Sequence, residues 1–190
     1  MNIVIFGHSD KRHLIYSMVR MLKFTGRVCL ITNNPVYRQL SMDFEEMFTI
    51  SDVQVIVEDD PDSVEEYHDL SLYDYIIYDC LLSMPQKLDV AIILDHFQVY
   101  EQFMDENEIP EIPTFVPKNA KVTNNTYKRF VLVPASTLEP QLQKIEESYK
   151  FLPILNSAHN KSVATLLETI THIPKSKLLA TLKQKGDDIK

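Results

Sequence analysis

The sequence predicts an α/β fold: an open, mostly parallel sheet with helices on both faces, built as a single domain over residues 1–190. Three observations predict it. Short apolar runs alternate along the chain with segments of helical period. The runs are rich in Val, Ile, Leu and Tyr with little polar alternation, as in strands covered on both faces. At 190 residues, 45% of them hydrophobic, the chain can bury one sizeable core, and no repeat, low-complexity stretch or composition shift divides it.

Apolar runs over 2–6, 27–31, 53–57, 75–79, 90–94 and 129–133 predict six strands. The segments 10–25, 37–48, 62–70, 97–106 and 138–149 predict the helices between them. In the first helix, Leu14, Ile15, Met18, Val19 and Leu22 form one apolar stripe, while Arg12, Ser17, Arg20 and Lys23 face elsewhere. Ser9 or Asp10 suits its N-cap and Gly26 its terminator. Phe97, Tyr100 and Phe103 recur at helical spacing; they form either the core face of their helix or, with Val99, an exposed surface for self-association. Residues 108–128 carry several prolines and an Asn-Asn turn and read as a surface connection with a short extended segment near 114–116. At the end of the chain, 174–190 predicts a helix and tail. Leu178, Leu179 and Leu182 lie among Lys175, Lys177, Lys183 and Lys185 there, which suits a docked helix, a partner-binding helix or a weak membrane helix.

Composition narrows the function classes. A net charge of −8 argues against nucleic acid, whose backbone is bound by clustered Lys and Arg. Only three glycines leave little material for loops that expose backbone to pyrophosphate. Cys29 and Cys80 lie inside apolar strands and read as buried free thiols of a reduced compartment. The first apolar run is short, with no basic region before it, and no run approaches a membrane span, so the expected location is cytoplasmic with membrane contact at most indirect or weak.

Ligands of such sheets bind beyond the carboxyl ends of the strands. The residues placed there are 7–13, 32–34, 58–60, 79–84, 95–96 and 134–137. His8 and His13 lack a spaced third ligand for a metal. Asp79 stands alone at a strand end, either capping a turn or facing a nucleotide. The acid-rich stretch containing Glu58, Asp59, Asp60 and Asp62 reads as a solvated helix start or as a docking surface for a basic partner. Tyr67, Tyr73, Tyr75 and Tyr78 read as packing residues more than as a stacking platform.

The blocks "NIVIFGHSDKRHLIYSMVRMLKFTGRVCLITNN", "LYDYIIYDCLLSMPQKLDVAIILDH", "KRFVLVPAS" and "LPILNSAHNKSVATLLE" together resemble the ParA/MinD group of P-loop ATPases with its pilus-assembly and localisation relatives. The resemblance implies a Walker B strand in "YDYIIYD", with Asp79 at its acidic position. It also implies a nucleotide site built on Gly7, Ser9, Lys11, Arg12 and Asp79. The departures from the pattern are substantial. Gly7 alone remains of the glycine cradle, Lys11 or Arg12 stands near the lysine position, and Arg12 or His13 replaces the magnesium-binding hydroxyl. Counting back from Gly26 places Arg12 nearest. Asn33 and Asn34 stand where the group carries a water-orienting Asp, and its signature lysine has no counterpart.

Losing the cradle, the metal ligand and the orienting carboxylate argues against hydrolysis, because phosphoryl transfer is positioning and charge stabilisation. The sequence thus predicts a non-catalytic, ATPase-like adaptor or regulator that binds a protein partner in a localisation, secretion or surface-assembly apparatus. It predicts no cofactor beyond weak ATP or anion binding, no metal, and self-association independent of nucleotide. The alternatives are a weak or atypical nucleotide-binding ATPase and a Rossmann-like small-molecule enzyme using His8, His13, Asp79 or Asp95.

Overall fold

The computed structural model describes residues 1–34, 37, 46–81 and 83–184. Along the chain run β1 (Asn2–Phe6), α1 (Arg12–Leu22), β2 (Val28–Thr32), β3 (Met47–Ile50), β4 (Val53–Val57), α2 (Val64–Tyr67) and β5 (Tyr75–Cys80). Then come β6 (Val90–Ile93), α3 (Phe97–Glu106), β7 (Thr114–Pro117), β8 (Lys128–Phe130), α4 (Glu139–Ser148), α5 (Ser157–Thr171) and α6 (Lys175–Thr181). The strands form one sheet of order β3-β4-β2-β5-β1-β6-β7-β8. Every pairing is parallel except β3 with β4. This is the open, mostly parallel α/β sheet that the sequence predicts.

Period-two side-chain alternation divides the core between the two faces of the sheet. Ile3 and Ile5 of β1 enter the cluster beneath α1, α4, α5 and α6, whereas Val4 and Phe6 enter the cluster beneath α2 and α3. β1 lies between β5 and β6, with Ile5 beside Asp79 and Phe6 beside Cys80, so the turn after β1 opens next to the carboxyl end of β5. Gly26 follows α1, where its N–H donates to the Leu22 carbonyl at 3.1 Å. A Cβ on Gly26 would stand 2.7 Å from an Asp74 carboxylate oxygen, so the close approach of Asp74 requires glycine.

Several elements depart from expectation. β3 is an edge strand with one buried residue, Ile50, and Met47 and Thr49 exposed. The strand expected over 129–133 ends at Phe130, because its neighbour β7 stops at Pro117 and leaves no partner for the next residues. The helix expected over 62–70 shrinks to four residues with only Val64 buried. The helix expected over 37–48 falls largely outside the described residues, and Met47 and Phe48 belong to β3. α5 goes beyond the predicted elements; Val163, Leu166, Leu167 and Ile170 form its buried face.

α1 is buried all round, not along one stripe. α5 and α6 cover its outer side, where the Ser17 hydroxyl meets His159 Nε2 at 2.9 Å and Arg20 lies 4.8 Å over the Phe24 ring. α6 buries Leu178 against this layer, with Leu179 and Leu182 partly buried, so its apolar side faces the core as a docked helix. Lys185 lies outside the described residues. No helix among the described residues is long and apolar enough to cross a membrane.

On the opposite face Tyr100 is buried, and Phe97 and Phe103 pack against the core, leaving Val99 as the exposed apolar residue of α3 in that group. The self-association surface expected there is therefore spent on packing. Cys29 and Cys80 are buried free thiols; burial pushes Cys29 up to about 12 and raises Cys80 as well.

Candidate functional site

The candidate site is the turn between β1 and α1. Gly7 adopts φ +128°, and a side chain on it would overlap the Asp95 carboxylate as well as strain the backbone. That geometry turns two consecutive N–H groups toward one point. His8 donates to Asp95 Oδ1 and Ser9 to Asp95 Oδ2, each at 2.7 Å, and the Ser9 hydroxyl also donates to Oδ2. Although burial pushes the Asp95 carboxyl up, these bonds and the nearby His96 hold it below its ordinary value. The His8 and His96 rings lie beside it, their centroids 4.7 Å apart. Asp95 thus fills, from the end of β6, the concavity where such a turn would receive an anion.

Lys11 is the buried cation of the turn, at 3% exposure. Its ammonium lies 2.8 Å from Asp79 Oδ1 and donates to the Cys80 carbonyl at 2.8 Å and to the Gly7 carbonyl. The ammonium thus makes two hydrogen bonds and one close ion pair, while Asp79 Oδ1 is buried with no hydrogen-bond partner among the described residues. Asp79 also accepts from the Thr32 hydroxyl at 3.1 Å. Burial raises the Asp79 carboxyl even against the pull of Lys11 and Thr32. Asp79 therefore does more than end a strand: it is half of a buried ion pair spanning β5 and the turn.

Arg12, placed nearest the lysine position by counting along the helix, points the other way. Its guanidinium binds Asp10 Oδ2 at 2.7 Å, Glu139 at 3.0 Å and Glu146 at 3.0 Å, tying the start of α1 to α4. Hydrogen bonding to Asp10 raises its pKa first, with Glu146 adding to it. Tyr16 donates to the same Glu146 oxygen at 3.0 Å. Ser9 and Asp10 do not cap α1 as expected; Lys11 holds the N-cap position without a side-chain bond, Ser9 serves Asp95, and Asp10 accepts from the Arg12 N–H at 3.1 Å. His13, in the other position for the magnesium-binding hydroxyl, is buried against His159 with ring centroids 5.4 Å apart. Asn33 bonds the loop after β5, accepting from Leu81 N at 2.8 Å and donating to the Ser83 hydroxyl at 2.9 Å.

A cleft of about 280 Å³ remains, lined by residues 8–12 with Asn34, Tyr37, Asp79 and Leu81. It is at or below the low end of the range of roughly 300–1,000 Å³ usual for small-molecule sites. The residues around it do not fit a nucleoside triphosphate with magnesium. The His8 and Ser9 N–H groups are used by Asp95, Lys11 is used by Asp79, and the start of α1 offers Arg12 and His13 in place of a hydroxyl. Among the described residues no group of three or more His, Cys, Asp or Glu could hold a metal ion.

Of the expected site residues, Gly7, Ser9, Lys11 and Asp79 come together around the turn, and Arg12 belongs to the α1–α4 clamp. The four residues proposed for a Rossmann-like enzyme are not gathered: His8 and Asp95 meet, while His13 faces α5. Sequence reasoning placed Asp95 on the rim without finding its role in the turn, because the bond joins residues 87 apart in the chain. It missed Tyr37, Glu139 and Glu146 altogether. Tyr37 is a fully buried wall of the cleft, and burial raises its hydroxyl well above the ordinary value.

No family model matches the sequence, and no curated protein does. Solved structures do match. The MinD cell division protein of Aquifex aeolicus is 14% identical, covering 100% of this chain and 98% of its own, with a TM-score of 0.50. The MinC:MinD cell division protein complex of the same organism gives 12% identity, 95% of this chain, 96% of the other and a TM-score of 0.52. At these identities the likeness is one of architecture, and it carries this conclusion: the chain has the MinD fold, the fold implied by its resemblance to the ParA/MinD group.

Proposed function

We propose that the chain is a non-catalytic, ATPase-like adaptor or regulator that binds a protein partner in a localisation, secretion or surface-assembly apparatus. The observation that carries this reading is the occupied turn. Asp95 takes the His8 and Ser9 N–H groups and Asp79 takes the lysine, so the two consecutive donors and the cation best placed for a phosphate already have internal counterparts. The partner-binding half of the reading draws on the MinD neighbour found together with MinC. Association through a protein surface does not require the chemistry that the turn has given up.

Titration calorimetry of the chain with ATP and Mg²⁺ tests the first half. The expected result is no binding up to about 1 mM, a free energy near 4 kcal/mol. Magnesium-dependent binding in the micromolar range would overturn it in favour of an atypical nucleotide-binding ATPase. Affinity capture from native cells, with and without ATP, tests the second half. One stoichiometric protein retained under both conditions is expected, and a partner released or recruited by ATP contradicts the reading.

A further inference from the structure

A groove of about 470 Å³ lies between β8 and α5 and shares no lining residue with the cleft at the turn. Val131, 48% exposed, is the open apolar part of its wall, with Phe115 and Phe130 buried beneath, and Lys118, Arg129, Lys161 and Lys175 stand around it. No carboxylate lines it, although the chain as a whole carries a charge of −8. Arg129 spends one nitrogen on the Ala120 carbonyl at 2.6 Å, and Lys175 donates to the Thr165 hydroxyl at 2.5 Å. The ammonium groups of Lys118 and Lys161 have no partner among the described residues. The groove is thus an apolar surface rimmed by positive charge.

The complementary surface is on the same chain, across the sheet. Between β4 and β5, Asp59 and Glu66 are exposed carboxylates without partners among the described residues, and Tyr67 projects with 77% of its surface exposed. This segment packs through Val64 and Leu70 on one face of the sheet, whereas the groove belongs to the other, with Phe115, Phe130 and α5. One molecule can therefore present both surfaces at once.

We propose that the groove receives the acidic, tyrosine-tipped segment 58–69 of a second copy, so that the chain associates head to tail. Tyr67 packs against the exposed apolar wall at Val131, where it buries apolar area. Asp59 and Glu66 face the lysines at the rim, which set orientation and association rate more than affinity. Two different patches make a heterologous contact, and such contacts close into rings where the rotation allows and otherwise propagate as open chains. The association stands independently of any nucleotide and of the adaptor reading.

Sedimentation of the full chain at about 100 μM, well above micromolar affinities, provides the test. A weight-average mass above the monomer that rises with concentration is expected near 50 mM salt, falling toward the monomer near 500 mM, where the screening length is only about 4 Å. Lys118→Glu with Lys161→Glu, and separately Asp59→Lys with Glu66→Lys, should each give a monomer, while their equimolar mixture associates again. Tyr67→Ser should weaken association with no change in melting, which separates loss of contact from loss of fold. A wild-type monomer throughout, association that survives both reversals, or a mixture that stays monomeric overturns the proposal.

Discussion

Lys11 and Asp79 are opposite charges that the fold has removed from water together, and their energetic meaning is asymmetric. A buried pair contributes little over well-packed apolar residues, yet removing one member leaves an uncompensated charge, at a cost of about 3–5 kcal/mol. Lys11→Met and Asp79→Leu should each lose stability on that scale, and the double variant should recover most of it; urea unfolding of all four proteins gives the coupling directly. Losses that simply add would show that the ion pair is incidental. His159 supplies a second test. Burial first, and the neighbouring His13 second, push its imidazole down to about 4 from the ordinary 6.5. The unfolded chain then binds the proton more readily, so the stability tied to a neutral His159 is complete above pH 6.5 and drains away as pH falls toward 4. The difference amounts to roughly 3 kcal/mol. Burial depresses His13 in the same direction. Denaturant unfolding at neutral and acid pH should show the loss in the wild type and a flatter acid limb in His159→Gln, which keeps a hydrogen-bonding group for Ser17. An acid limb of unchanged steepness in that variant would place the acid sensitivity elsewhere.

At the scale of elements, the Arg12 clamp explains how a short α4 is oriented. α4 buries only Leu142 and Ile145, so its position depends on Glu139 and Glu146 meeting the Arg12 guanidinium together with Asp10. The planar guanidinium spreads five donors over a rigid fork that reaches several carboxylates with good geometry, where an ammonium offers three donors from one point. Arg12→Ala should cost about 2 kcal/mol in thermal or urea unfolding, the scale of a charged hydrogen bond lost from a partly buried group. Arg12→Lys should recover less than half of that. Full recovery by lysine would reduce the clamp to simple charge balance. The clamp also shows why the lysine position was not legible in the sequence. Counting from Gly26 depends on where the first turn of α1 begins, and a slip of one residue exchanges a buried cation for a bridging one.

For the whole molecule, legibility followed burial. The central strands β1, β2, β4, β5 and β6 are covered on both faces, and their continuous apolar runs reveal them. β3 at one edge and β8 at the other are short and partly exposed, so composition marks them poorly. α5 carries a clear signal, Val163, Leu166, Leu167 and Ile170 behind an Asn156 cap that accepts from His159 N at 2.9 Å, which reading the segment only as a signature block overlooks. In the candidate site, the placement of Gly7 and Asp79 at adjacent strand ends follows from strand order and was expected. The partner of each charge did not follow, because Lys11 meets Asp79 and the turn meets Asp95 only after parallel strands have crossed over.

The Asp95 carboxylate in the turn has a consequence for timing. A phosphate-binding loop that needs its ligand to complete its hydrogen bonds has two states, and cycling between them can drive a clock. Here the completing group is covalently part of the chain and cannot dissociate, so folding itself closes the turn. On the adaptor reading proposed above, a turn closed at folding supplies no ligand-dependent step to reset its shape. On that reading, occupancy of a partner follows concentration, and lowering the amount of the chain is how a cell would release that partner.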